Sequence, residues 1–257
     1  MKKSSLGNLF PWAILGGLFL GVFCAITGIP LLSYTVPILT LLGILILVTV
    51  IFVFAKESRY QLAMLNDGRY EEFIEYLTIK HERGSRFKSY KGQYLLSIAN
   101  CLNRMGDFRE SLNCLQKIDE SRLDKNTKAS YYSLYSSNLY FLNDNLRRAE
   151  ELITKSRGMM DMPESILLQA LIELELNKRE ESESLIEKYR KIKRKKYLFG
   201  MTVLIIDDYT RKISENFLLG LYHKIAGEEE HSKIYFSKSA DCRYKNYFSD
   251  LSKELSM

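Results

Sequence analysis

At 257 residues and a formal net charge of +6, the chain has room for one large or two small domains, and its basic excess is too mild for a nucleic-acid-binding surface. The charge is unevenly placed: none lies between Lys3 and Lys56, while all 31 acidic and 35 of the 37 basic residues lie from Lys56 onward. An uncharged run of 52 residues thus precedes a polar globular segment of about 200 residues with net charge near +4.

The uncharged run is too long for a single helical span, which needs ~20 residues to cross a ~30 Å hydrocarbon core. The stretch "GIPLLSYTVP", with Pro30 and Pro37 around a short polar break, divides it. The reading is a two-helix transmembrane hairpin over residues 1–56, with spans at about Leu9 to Thr27 and Pro37 to Ala55. Pro11 falls at a tolerated early helix position. Lys2 and Lys3 precede the first span, Lys56 and Arg59 follow the second, and the turn between has no basic residue. By the positive-inside rule both ends face the cytoplasm, which places the chain in the cell membrane with two spans. A cleaved signal peptide competes, but the apolar core is long and no A-x-A site follows it. Gly17 and Gly21 form a small-xxx-small pair that packs the two spans together or makes a homodimer.

Beyond Lys56 the pattern turns helical. In "GQYLLSIANCLNRMGDFRESLNCLQKI", Leu95, Ile98, Leu102 and Met105 make one apolar stripe, Gly106-Asp107 breaks it, and Phe108, Leu112, Leu115 and Ile118 make a second. Similar breaks fall at Gly68, Asp144, Asn177 and Gly227, separated by 38, 38, 33 and 50 residues. Each unit is a helical hairpin that cannot bury its apolar face alone, so neighbours must stack. The first unit's leading helix either stands alone or continues the second span. The stretch from about Arg243 to Met257 is expected to close the stack as a polar cap.

These units resemble tetratricopeptide repeats. Gly106, Asp107, Phe108 and Ser111 match that family's Gly-Asp-aromatic turn and the small residue after it. Leu219 and Gly220 match its Leu-Gly pair, Ala149 its small second-helix residue, and Gly68 and Tyr70 its turn, although bulky Phe73 replaces the small residue. The family tryptophan and closing proline are missing from every unit. The resemblance implies an all-α solenoid of about five hairpins over residues 57–257, with first helices lining an inner groove.

Carried onto this chain, the family's groove positions are Gln93, Leu96, Asn100, Asn103 and Arg104 in the second unit, Tyr131, Leu134, Asn138 and Phe141 in the third, and Phe217 and Leu221 in the fifth. Asn100 and Asn138 occupy equivalent places, and an amide that donates and accepts pairs with any peptide backbone. The alternative is hydrogen bonding within the stack. Leu96 stands where the chaperone-tail variant of the family wants a lysine, which argues against capture of a C-terminal carboxylate of that kind. The tyrosines of "SYYSLYSSNLYFL" are either interface anchors or filling between helices. Lys193, Arg194, Lys195 and Lys196 end a basic cluster suited to anionic lipid, or to a solvated helix end.

Catalytic and metal signals are sparse. "SRFK" at Ser85 to Lys88 and the Asp207-Asp208 pair lack companion motifs, and there is no phosphate loop or H-E-x-x-H. Cys24, Cys101, Cys114 and Cys242 form no C-x-x-C pair, no zinc-site spacing is present, and reduced thiols are expected. The expectation is a non-enzymatic scaffold without cofactor or metal that holds a protein or peptide partner at the membrane. A peptide-responsive sensor and a lipid-surface organiser are the alternatives.

Overall fold

The computed structural model describes residues 30–84, 90–192, 208–242 and 246–257. The expected first span, Gly17, Gly21, the "SRFK" stretch, Asp207 and the basic residues Lys193 to Lys196 lie outside them. The chain divides into two compact units, Met1–Tyr60 and Gln61–Met257.

In the first unit, helix α1 (Pro30–Asn66) begins seven residues earlier than the expected span. No break separates Pro30 from Pro37. Proline fits the first helical position, and farther along an apolar helix it removes one hydrogen bond without ending it. Within α1, Thr40–Asn66 is long and apolar enough to cross a membrane by length and composition. Leu41, Leu45 and Phe52 on this stretch are exposed. The helix runs on past the uncharged segment, so the leading helix of the first hairpin is a continuation of this one.

The second unit is a stack of antiparallel hairpins. At the end of α1, Met64 and Leu65 pack with Tyr70 and Phe73 of α2 (Tyr70–Gly84), while α3 (Tyr90–Met105) pairs with α4 (Phe108–Gln116) and α5 (Lys125–Phe141) with α6 (Leu146–Met159). Helices α7 (Pro163–Glu175) and α8 (Arg179–Lys191), then α9 (Asp208–Ile225) and α10 (Glu229–Ala240), follow, and α11 (Tyr247–Ser256) ends the chain. Four of the five expected breaks are left-handed residues: Gly68, Gly106, Asn177 and Gly227 have φ of 66°, 88°, 61° and 81°. At the third, the left-handed residues are Asn143 and Asn145, on either side of Asp144. Asparagine tolerates this conformation better than aspartate's other neighbours would, and Asn145 also caps α6 by accepting from the Arg148 N–H at 3.0 Å. Asp124 caps α5, accepting from the Asn126 and Thr127 amides.

What draws the helices of the second to fifth hairpins together is a small residue on the second helix. Ser111, Ser182 and Ser232 are buried, and each hydroxyl donates to the carbonyl of the residue twelve positions earlier: Ala99 at 2.7 Å, Ala170 at 2.6 Å and Gly220 at 2.9 Å. In the third hairpin Ala149 holds this place, and Ser136 donates to its carbonyl at 2.7 Å. A second set of serines reaches across about two turns further along: Ser156 donates to the Ala129 carbonyl at 2.8 Å and Ser239 to that of Ile213 at 3.0 Å. A buried hydroxyl without a partner would cost free energy, whereas these occupy little volume and are satisfied.

Around these contacts lie three apolar clusters. One joins α3 to α7 through Leu115, Leu139, Ile153 and Ile172; another joins Phe108 to α7 through α11 by way of Leu171, Phe217, Phe236 and Phe248. The smallest holds Met64, Leu65, Tyr70, Phe73 and Cys101. Burial pushes the Cys101 thiol up to about 12, with Arg104 opposing, so this cysteine is a core residue rather than a reactive one.

Helix α11 departs from the expected polar cap. Its N-terminal residues turn inward along the concave side. Phe248 packs 5.4 Å from the Phe141 ring and 5.1 Å from that of Phe217. Asn246 donates from Nδ2 to the Tyr70 hydroxyl at 3.2 Å, joining the last helix to the first hairpin.

Gly220 sits where a Cβ would lie 2.6 Å from two ring carbons of fully buried Phe236. Gly220→Ala is therefore expected to destabilise the protein by about 1–3 kcal/mol. Gly158→Ala, where a Cβ meets nothing within 4 Å, is expected to be neutral or to stabilise by ~0.5–1 kcal/mol. Urea midpoints of the two variants check the contrast.

Candidate interaction groove

The concave side of the second unit encloses a cavity of ≈ 690 Å³. Its walls come chiefly from the first helices of successive hairpins, α3, α5, α7 and α9, with Leu65, Phe73, Phe248, Met160 and Met162 completing the lining. Eight of the eleven residues carried over from the repeat pattern line it: Gln93, Leu96, Asn100, Asn103, Arg104, Leu134, Phe141 and Phe217. The lining is amphipathic. Leucine and phenylalanine side chains alternate with Ser97, Ser130, Ser133, Ser137 and the amides, a mixture suited to an apolar side chain and a backbone that still needs hydrogen bonds.

Tyr131, Asn138 and Leu221 lie elsewhere. Tyr131 packs in the first core cluster, edge-to-face with Tyr132 and Tyr135, and Leu221 packs against the second cluster. The tyrosines of α5 thus serve mainly as filling between helices.

Asn138 is 0 % exposed. Its Oδ1 accepts from Asn103 Nδ2 at 2.8 Å, and its own Nδ2 donates to Ser111 Oγ at 2.7 Å. Ser111 donates onward to the Ala99 carbonyl, so a buried relay ties the second hairpin to the third. Asn100, at the equivalent place one unit earlier, lines the cavity instead. The difference lies in the preceding hairpin: the counterpart of Ser111 there is Phe73, which offers an amide no hydrogen-bonding atom. The sequence places the two asparagines alike, but their neighbours send them to different surroundings.

Arg104 is the notable charge in the groove. It is 5 % exposed, and its Nη1 has no hydrogen-bond partner among the described residues. Its side chain does bond Tyr70, whose hydroxyl also receives Asn246. Burial pushes the Tyr70 phenol above its ordinary value, and the Arg104 charge opposes that rise. A buried guanidinium donor without a partner costs free energy, which the Tyr70 bond offsets only in part.

Phe248 and the methionine pair were not among the expected lining residues. Phe248, Leu251 and Leu255 carry a helical apolar spacing that signals a buried face, but "SKELSM" reads as a polar end. The start of the basic cluster is occupied internally, Lys188 pairing with Asp161 at 2.6 Å and Lys191 with Glu187 at 3.4 Å.

Paired helices, left-handed turns and a concave face lined by first helices define an α-solenoid of tetratricopeptide hairpins, a class of generally non-catalytic protein-interaction repeats. More narrowly, the chain belongs to the family of SusR N-terminal TPR domains, which it matches over residues 59–249. No curated protein and no solved structure matches it.

Replacing Asn138 leaves Asn103 and Ser111 buried without their partner. Asn138→Ala is expected to cost about 1–3 kcal/mol, and Asn100→Ala less than ~0.5 kcal/mol. Equilibrium denaturation of both distinguishes the relay residue from the groove residue.

Proposed function

We propose that this protein is a membrane-anchored scaffold that binds a partner protein through an extended or helical segment laid in its tetratricopeptide groove. The observation that carries the reading is the amphipathic cavity with Asn100, Gln93 and Arg104 in its wall. The anchor is a two-span hairpin over residues 1–56, with both termini and the repeat domain on the cytoplasmic face. Support for it comes from the apolar stretch Thr40–Asn66 and from basic residues on both flanks of the uncharged run. Selectivity belongs to the groove, location to the anchor, and no chemical step is involved.

A cross-linked pull-down of the full-length protein from its native membranes tests the groove. A Gln93→Ala/Asn100→Ala variant is expected to lose the main partner, while Glu183→Ala/Lys233→Ala on exposed surface retains it. Retention by the groove variant, once equal folding is shown, would move the binding site to another face. Alkaline carbonate extraction tests the anchor, with the protein expected in the pellet. Protease added to inside-out vesicles is expected to digest the repeat domain, and added to right-side-out vesicles to spare it.

A second reading, a sensor, draws on Phe248, which lines the cavity from the last helix while Leu65 and Phe73 line it from the first hairpin. A segment touching both helices would alter their spacing. Small-angle scattering with and without the captured partner segment separates the two: a changed radius of gyration supports the sensor, an unchanged one the scaffold.

A further inference from the structure

Away from the groove, the turn between α9 and α10 gathers two of the chain's three histidines around one carboxylate. His223 ends α9, Gly227 makes the left-handed turn, and Glu228 and His231 begin α10. Glu228 occupies the N-cap position of α10, yet its side chain caps nothing. It reaches back instead, with Oε2 2.7 Å from His223 Nδ1 and 3.6 Å from His231 Nδ1. One donor atom from each of the three residues lies within 4.8 Å of the others.

The first imidazole is held in place. His223 is 5 % exposed, its ring is stacked on Tyr235 at 5.1 Å with only 2° between planes, and Tyr222 meets it edge-on. Its second nitrogen, Nε2, is buried without a hydrogen-bond partner among the described residues. His231, at 66 % side-chain exposure, is free to swing. The trio is therefore one fixed ligand, one carboxylate already turned toward it, and one adjustable ligand open to solvent.

We propose that His223, Glu228 and His231 form a binding site for a divalent transition-metal ion, zinc by preference. Two imidazoles and a carboxylate are a recognised zinc donor set, and water completes a tetrahedron. Metal–ligand distances near 2.0–2.1 Å place neighbouring donors about 3.3 Å apart, a triangle that a small movement of the exposed His231 ring completes. Ligand softness argues against calcium or magnesium, which take all-oxygen shells. The sequence spacing, H-x4-E-x2-H, fits no familiar zinc motif, because the hairpin turn rather than a single helix face brings the donors together. The ion would clamp the α9–α10 turn, and none of its three ligands lines the groove, so the two sites are separate.

The test is metal uptake by the full-length protein in detergent, with zinc competed against a chromogenic chelator and cobalt followed by its visible absorption. Wild type is expected to take up one zinc ion per chain, to give the intense band of tetrahedral cobalt, and to melt at higher temperature with zinc than without. His231→Ala and Glu228→Gln, both at exposed positions, are expected to weaken zinc more than ~10-fold and to abolish the cobalt band. His81→Ala, in the first hairpin, is expected to change neither. Failure of wild type to bind, or zinc affinity unchanged in both turn variants, overturns the site.

Discussion

Everything in the repeat unit depends on how closely its two helices approach. A leucine at the crossing would hold them apart and leave the interior loosely filled. Serine, alanine or glycine lets the backbones meet, and serine adds a hydroxyl that donates to a carbonyl on the facing helix. Ser111, Ser182 and Ser232 make this bond with identical spacing, and Ser156 and Ser239 make its counterpart further along the hairpin. Because the hydroxyls are buried and satisfied, polar residues serve where apolar ones would be too large. This close approach sets the curvature, and the curvature makes the groove.

The same interaction explains why the groove is not uniform. Where Ser111 is present, it draws Asn138 into the stack; where Phe73 replaces the small residue, no hydroxyl is on offer and Asn100 is left at the cavity wall. An irregular repeat thus leaves at the cavity wall an amide that a regular one would have consumed in its own packing. Arg104 fits the same logic, since its neighbours satisfy it only in part.

Much of the hairpin architecture was legible in the sequence because its signals are local. Left-handed turns demand glycine or asparagine, and Gly68, Gly106, Asn177 and Gly227 announce them. Apolar stripes with helical spacing then locate the helices on either side. The groove was partly legible: first-helix positions come from the repeat, but whether a side chain faces the cavity depends on contacts with the preceding unit. Asn138 and Tyr131 show this, both placed by residues distant in sequence. Helical continuity from Pro30 through Pro37 was hidden as well, since proline in an apolar helix costs one hydrogen bond where a turn would expose many. The histidine–carboxylate cluster was invisible for a related reason, its donors meeting only after the turn has folded.

Open solenoids are quasi-one-dimensional: each repeat feels only its neighbours, and the ends fray independently. The hydrogen bond from Asn246 to Tyr70 joins positions 176 residues apart and removes that independence. Tyr247, wedged so near Gly106 that a Cβ there would lie 2.4 Å from its ring, reinforces the closure. The array is fastened like a bracelet rather than left as a spring. With this clasp the first and last hairpins are held together, and loosening at one end is felt at the other.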